Sequence, residues 1–243
     1  MRKSYKNLRF FALLSIIAFT LCSCVLQPTE PATNALKSDG MVVVETTNDY
    51  ISFRPVSGSI QAGFVFYPGG LVNEQAYAPL CRRIAASGFY VAIVPMPLNL
   101  AVFAPEKGRS ALEKNKAITR WAIGGHSLGG AMASRFVHTD STLFRGLVLY
   151  AAYPDVSNDL SKRTTIAVLS VSATLDGLAT PEKIADNKKY LPAATQYLVL
   201  EGGNHAQFGS YGVQNGDKTA TMTAEEQQRR VAEATIAFLN NLR

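Results

Sequence analysis

Between Ala62 and Leu200 the chain carries six short runs that are apolar at nearly every position: 62–67, 89–94, 121–124, 146–152, 165–172 and 196–200. A strand with one wet face alternates polar and apolar residues. Runs without alternation need cover on both faces, which is the mark of a parallel sheet. The stretches between several of them carry apolar residues at helical spacing, as Ala76, Leu80, Ile84 and Ala85 do before Gly88. Strands alternating with helices predict an α/β fold with a mostly parallel, doubly wound sheet. Its functional residues should gather at the carboxyl ends of the strands.

Local signals sharpen this outline. Met41–Glu45 and Tyr50–Phe53, separated by Thr-Thr-Asn-Asp, predict an antiparallel pair at the start. Residues 115–120 are read as the end of a helix, 128–137 as a helix rich in small residues, and 180–190 as a polar helix. Thr180 is its N-cap and Pro181 its first residue. The closing helix, 223–242, opens on a capping box, with Thr223 three residues before Glu226.

Ahead of the sheet lies an address. Residues 1–9 hold four cations and no acid, and Phe10–Leu21 is a 12-residue apolar run. A bilayer-spanning helix needs about 20 residues, so residues 1–23 read as an export signal. Leu21-Cys-Ser-Cys24 resembles the lipobox of bacterial lipoproteins, with Leu three before the cysteine and a small residue directly before it. The resemblance implies cleavage before Cys24, acylation there, and a chain anchored by lipid to a membrane of the cell envelope. Cys22, preceded by bulky Leu21, fits the acylated position less well. Residues 24–39, rich in Pro, Thr, Ser and Asn, are expected as a flexible tether. Residues 40–243 then form one domain.

Cleavage lowers the formal charge from +6 to +2. That balance implies no polyanion surface, and nucleic acid is not an expected partner. Only Cys24 and Cys81 remain, so a disulfide framework is excluded. Cys81, in an apolar-periodic stretch, reads as a small core residue.

Gly125-His-Ser-Leu-Gly129 matches G-x-S-x-G between a strand and a small-residue helix, the setting of a nucleophile elbow. Ser127 would stand on the turn at a helix N-terminus, where the dipole favours negative charge. A serine hydroxyl attacks only when a base takes its proton. The chain has three histidines. His126 adjoins Ser127 inside the turn and should project elsewhere, and His138 closes the following helix as a cap. His205, in Gly202-Gly-Asn-His205 after the last strand, is the expected base. A carboxylate should hold its tautomer. Asp176, just past the strand at 165–172, is favoured over Asp155.

From about Ala62 onward the chain resembles the α/β-hydrolase superfamily. It is most similar to the lidless branch of dienelactone hydrolases and related esterases. Phe66-Tyr-Pro-Gly-Gly70, Gly124–Gly130, Asp176 and Gly203-Asn-His205 carry the likeness, although dienelactone hydrolases have cysteine where this chain has Ser127. The resemblance implies an α/β-hydrolase fold without a cap domain. It also implies a carboxylic ester or thioester hydrolase acting on a small-molecule acyl substrate. The oxyanion of such a reaction needs two backbone N–H donors. Leu128 is expected as one and Leu71 as the other, with Gly70 the next choice. No metal-binding or phosphate-loop motif is present, and no cofactor is expected. Two other readings share the scaffold: an idle hydrolase fold used for binding at the envelope, and acyl transfer to an acceptor other than water.

Overall fold

The apolar runs pair into one sheet in the computed structural model, which describes residues 25–242. Its strands are β1 (Val42–Thr46), β2 (Ile51–Pro55), β3 (Gly63–Tyr67), β4 (Tyr90–Ile93), β5 (Trp121–His126), β6 (Gly146–Tyr150), β7 (Ala167–Ala173) and β8 (Gln196–Leu200). They lie in the order β1-β2-β4-β3-β5-β6-β7-β8. The pairs β1–β2 and β2–β4 are antiparallel, and every other pair is parallel. The helices are α1 (Glu30–Asn34), α2 (Ala78–Ala85), α3 (Arg109–Lys114), α4 (Leu128–Thr139), α5 (Pro181–Asn187) and α6 (Ala224–Asn240).

Every residue of β3, β4, β5 and β6 is buried. Alternate side chains serve opposite faces. Phe64, Phe66, Val148 and Tyr150 pack toward α2 and α6, whereas Val65, Tyr67, Leu147 and Leu149 pack toward α3 and α4. Each fully buried phenylalanine, such as Phe64 or Phe66, contributes about 2–3 kcal/mol. An exposed ion pair such as Lys114–Asp49 contributes roughly 0–1 kcal/mol. The sheet core therefore dominates. No separate cap domain is evident among the described residues, and the β6–β7 link holds only a turn of 3-10 helix, Val156–Asn158.

The strand order also locates a site. From β3 the chain passes outward to β4, then crosses back to β5 on the other side of β3. The loops leaving β3 and β5 thus diverge and open a crevice at the carboxyl edge.

Two expectations need correction. The helix expected to end within 115–120 is α3, which stops at Lys114, and 115–120 is turn and extended chain. Asn115 leaves helical geometry (φ −124°, ψ 50°) while its amide donates to the Ala111 carbonyl (2.8 Å) and the Tyr90 hydroxyl (3.2 Å). Such side-chain bonds compete with helix continuation. The expected tether, residues 24–39, is a strap packed on the domain from Leu26 onward. The Leu26 N–H donates to the Leu71 carbonyl (2.8 Å), and the Asn73 N–H donates to the Leu26 carbonyl (3.0 Å). The Thr29 N–H and hydroxyl both donate to the Ser210 carbonyl, at 2.8 and 3.0 Å. Ala32 is wholly buried, and Arg82 grips the far end through the Ala35 and Lys37 carbonyls and Asp39. The export signal and Cys24 lie outside the described residues, none of whose helices is long and apolar enough to cross a membrane.

Candidate active site

Ser127 sits between β5 and α4 with φ 52° and ψ −123°, a region L-residues seldom adopt. The flanking glycines make the turn possible. A Cβ on Gly125 would come 2.5 Å from the Tyr67 carbonyl oxygen, and one on Gly129 would collide with the carbonyls of Tyr67 and Pro68. The elbow is thereby pressed against the end of β3. The Ser127 N–H is held by the Tyr150 carbonyl (2.9 Å), while its half-buried hydroxyl caps no helix.

Asp176 and His205 meet each other. Asp176 follows β7, and its buried carboxylate accepts from the N–H groups of Leu178 (2.8 Å) and Ala179 (2.7 Å) through one oxygen. The other oxygen lies 2.8 Å from His205 Nδ1. With Asp176 ionised, Nδ1 carries the proton and donates, which leaves Nε2 as a proton acceptor. Asp155 is elsewhere occupied: it accepts from the Ser157 N–H and hydroxyl, each at 2.8 Å, and caps the 3-10 turn after β6. Those bonds hold its carboxyl below the usual carboxylate range. Among the described residues no hydrogen bond joins Ser127 to His205; the neighbour of Ser127 in the chain, His126, has its ring centroid 4.3 Å from that of His205.

At the oxyanion side the first donor has the expected setting. Leu128 opens α4, so its N–H has no partner within the helix. Leu71, the second expected donor, is already committed: its N–H donates to the Asn99 carbonyl at 2.9 Å. The N–H of Gly70 makes no hydrogen bond among the described residues. A Cβ at Gly70 would lie 3.0 Å from Leu128 Cδ2, so Gly70 packs directly against the Leu128 side chain.

Several supporting residues escaped the sequence reading. The Tyr77 hydroxyl accepts the Gly69 N–H (3.0 Å) and lies 2.9 Å from His126 Nδ1. The Tyr77 hydroxyl thus links the loop after β3 to the His126 ring. Burial first, and the His205 charge second, hold the His126 pKa well below the ordinary histidine value. Asp217 ties the acid and base loops together, accepting from Gly177 (2.9 Å) and Ala206 (2.8 Å) N–H groups. Buried Gln227 brackets Asn204, accepting its N–H at 3.0 Å and donating to its carbonyl at 2.7 Å. A tyrosine in a helix start and an aspartate in a loop carry no spacing signal, so only the fold reveals these pairings. His138 does not cap its own helix; its Nδ1 lies 3.2 Å from the Asp159 carbonyl. Cys81 is a buried free thiol on the core face of α2, and burial pushes its pKa up. No group of residues able to hold a metal ion occurs among the described residues.

Comparison with known proteins fits this architecture. No curated protein matches the sequence. A solved structure described as a predicted CIB-like hydrolase from Thermoplasma acidophilum is similar, with a TM-score of 0.60 at 17% identity. The alignment covers 83% of this chain and 98% of that one. At that identity the likeness speaks for the fold. The model of the alpha/beta hydrolase family matches residues 63–229, a span running from β3 into α6 and including Ser127, Asp176 and His205. The chain belongs to the α/β hydrolase family.

Proposed function

We propose that this hydrolase cleaves a carboxylic ester or thioester through an acyl-enzyme on Ser127. The buried Asp176–His205 pair, 2.8 Å apart and with its imidazole 4.3 Å from the ring of His126, the residue before the strained Ser127, is the observation that carries the reading. In this mechanism His205 Nε2 takes the Ser127 proton as Oγ attacks the acyl carbon. The oxyanion receives the N–H groups of Leu128 and, in place of Leu71, Gly70. His205 then returns the proton to the departing alcohol or thiol. A water molecule, deprotonated by the same nitrogen, releases the acid and restores Ser127. Asp176 holds the tautomer and stabilises the imidazolium. Each oxyanion donor is worth roughly 3 kcal/mol in comparable sites. The lidless esterase branch supplies the substrate class. In the cell the chain is acylated at Cys24 and held at a membrane of the bacterial envelope.

The test is labelling by a fluorophosphonate, which reacts with an activated serine. The native chain should be labelled and hydrolyse short esters. Ser127→Ala should remain folded, lose the label and lose several orders of magnitude in rate, and His205→Ala should lose nearly as much. Labelling that persists in Ser127→Ala would end the assignment.

A further inference from the structure

Three uncharged stretches meet at the crevice. Residues 62–73, 89–105 and 25–29 contain no Asp, Glu, Lys or Arg. The first two include the loops after the neighbouring strands β3 and β4, and the Leu71 N–H to Asn99 carbonyl bond joins those loops. They expose large apolar side chains: Leu71 at 38%, Leu98 at 74%, Val102 at 40% and Phe103 at 60%. Single exposed apolar residues are ordinary, but a contiguous apolar rim marks a contact surface. Leu98 and Asn99 both have positive φ, 53° and 56°, so the rim is held outward in a backbone shape that non-glycine residues seldom take. The third stretch is the start of the strap, where Leu26 pairs with Val72 in a parallel bridge. The position proposed for acylation, Cys24, is two residues upstream of that bridge, and two residues of chain reach no further than about 7 Å.

We infer that this rim docks on the surface of a phospholipid bilayer, so that the crevice between β3 and β5 faces the membrane and takes amphiphilic esters from it. The inference rests on the proposed hydrolase and its anchor. One acyl attachment alone fixes distance and leaves orientation free. A second, apolar contact fixes both, and the strap ties the two points together. Side chains without charge enter the interface without the cost of stripping water from ions, and Phe103 adds an aromatic ring to that contact.

The test uses the full lipidated chain, purified in detergent and reconstituted into phosphatidylcholine vesicles containing a nitroxide-labelled lipid. Leu98→Cys, Phe103→Cys and Lys116→Cys are each tagged with bimane; Lys116 is an exposed residue just before the amino end of β5. Bimane at 98 and 103 should lose at least half its emission, and bimane at 116 less than a tenth. Equal quenching at all three positions, no quenching at 98 and 103, or a chain that stays in the aqueous phase would overturn the docking. As a second arm, the double variant Leu98→Ser/Phe103→Ser should hydrolyse a dissolved short ester within twofold of the native rate. It should lose at least tenfold against an ester embedded in vesicles; parallel loss on both substrates would count against the docking. Fluorophosphonate labelling of Ser127 separates the two ideas. Labelled chain with bright probes at 98 and 103 refutes the docking alone, and quenched probes without labelling refute the hydrolase alone.

Discussion

Ser127 and Asp176 owe their positions to different forces. The serine is held by exclusion, because glycines at 125 and 129 let the turn press against the β3 carbonyls. The aspartate is held by attraction, through two N–H groups on one oxygen and His205 on the other. Asp155 has the same residue type and also follows a strand, yet its bonds are spent on Ser157. Asp176→Asn should therefore lower kcat by about four orders of magnitude, as loss of a tautomer-holding carboxylate does. Asp155→Asn should leave kcat intact and stability little changed, because asparagine caps a helix start about as well as aspartate. Steady-state kinetics beside urea unfolding measures both, and the opposite ranking would move the acid to Asp155. The glycine pattern made the elbow legible in sequence, and strand ends made Asp176 and His205 candidates. Leu71 was misjudged as a free donor because nothing in one strand's loop reveals that Asn99, from another, takes its N–H.

The strap is the element whose composition and structure diverge most. Its Pro, Thr and Asn content resembles a linker because composition registers side chains, whereas its hold on the domain is largely backbone hydrogen bonding to Leu71 and Ser210. The sheet was legible for the converse reason: its strands advertise their burial at every position. The helix at 109–114 fell between these cases, since the bonds that end it at Asn115 come from distant Tyr50 and Tyr90 hydroxyls as well as local Ala111. Leu26→Pro tests the strap directly by removing the N–H that holds Leu71, one residue from Gly70. One lost hydrogen bond should cost about 1 kcal/mol of stability. Displacement of the loop should cost roughly tenfold in kcat, since small misplacements of a reacting group are expensive. An unchanged kcat beside lowered stability would reduce the strap to a structural clasp.

For the molecule as a whole, buried His126 predicts how stability varies with pH. Its folded pKa lies well below the ordinary value, near 6.5 when unfolded. Above that value both states are neutral and nothing changes. As pH falls below it, the unfolded chain takes a proton that the native protein refuses, so stability is lost at up to about 1.4 kcal/mol per pH unit. Urea unfolding between pH 7 and pH 5 should show this slope, and His126→Asn, which keeps an acceptor for the Tyr77 hydroxyl, should flatten it by about one proton. Identical slopes would mean that His126 titrates alike in both states. The strap has one more consequence, a matter of timing. Its Thr29 hydrogen-bonds to Ser210 across 181 positions of sequence. The strap, synthesised before the sheet, must therefore wait for nearly the last loop to follow. Until then neither the Gly70 loop nor the His205 loop has its clasp. A partly made chain thus lacks that clasp, and a stretch made before the sheet is among the last to dock.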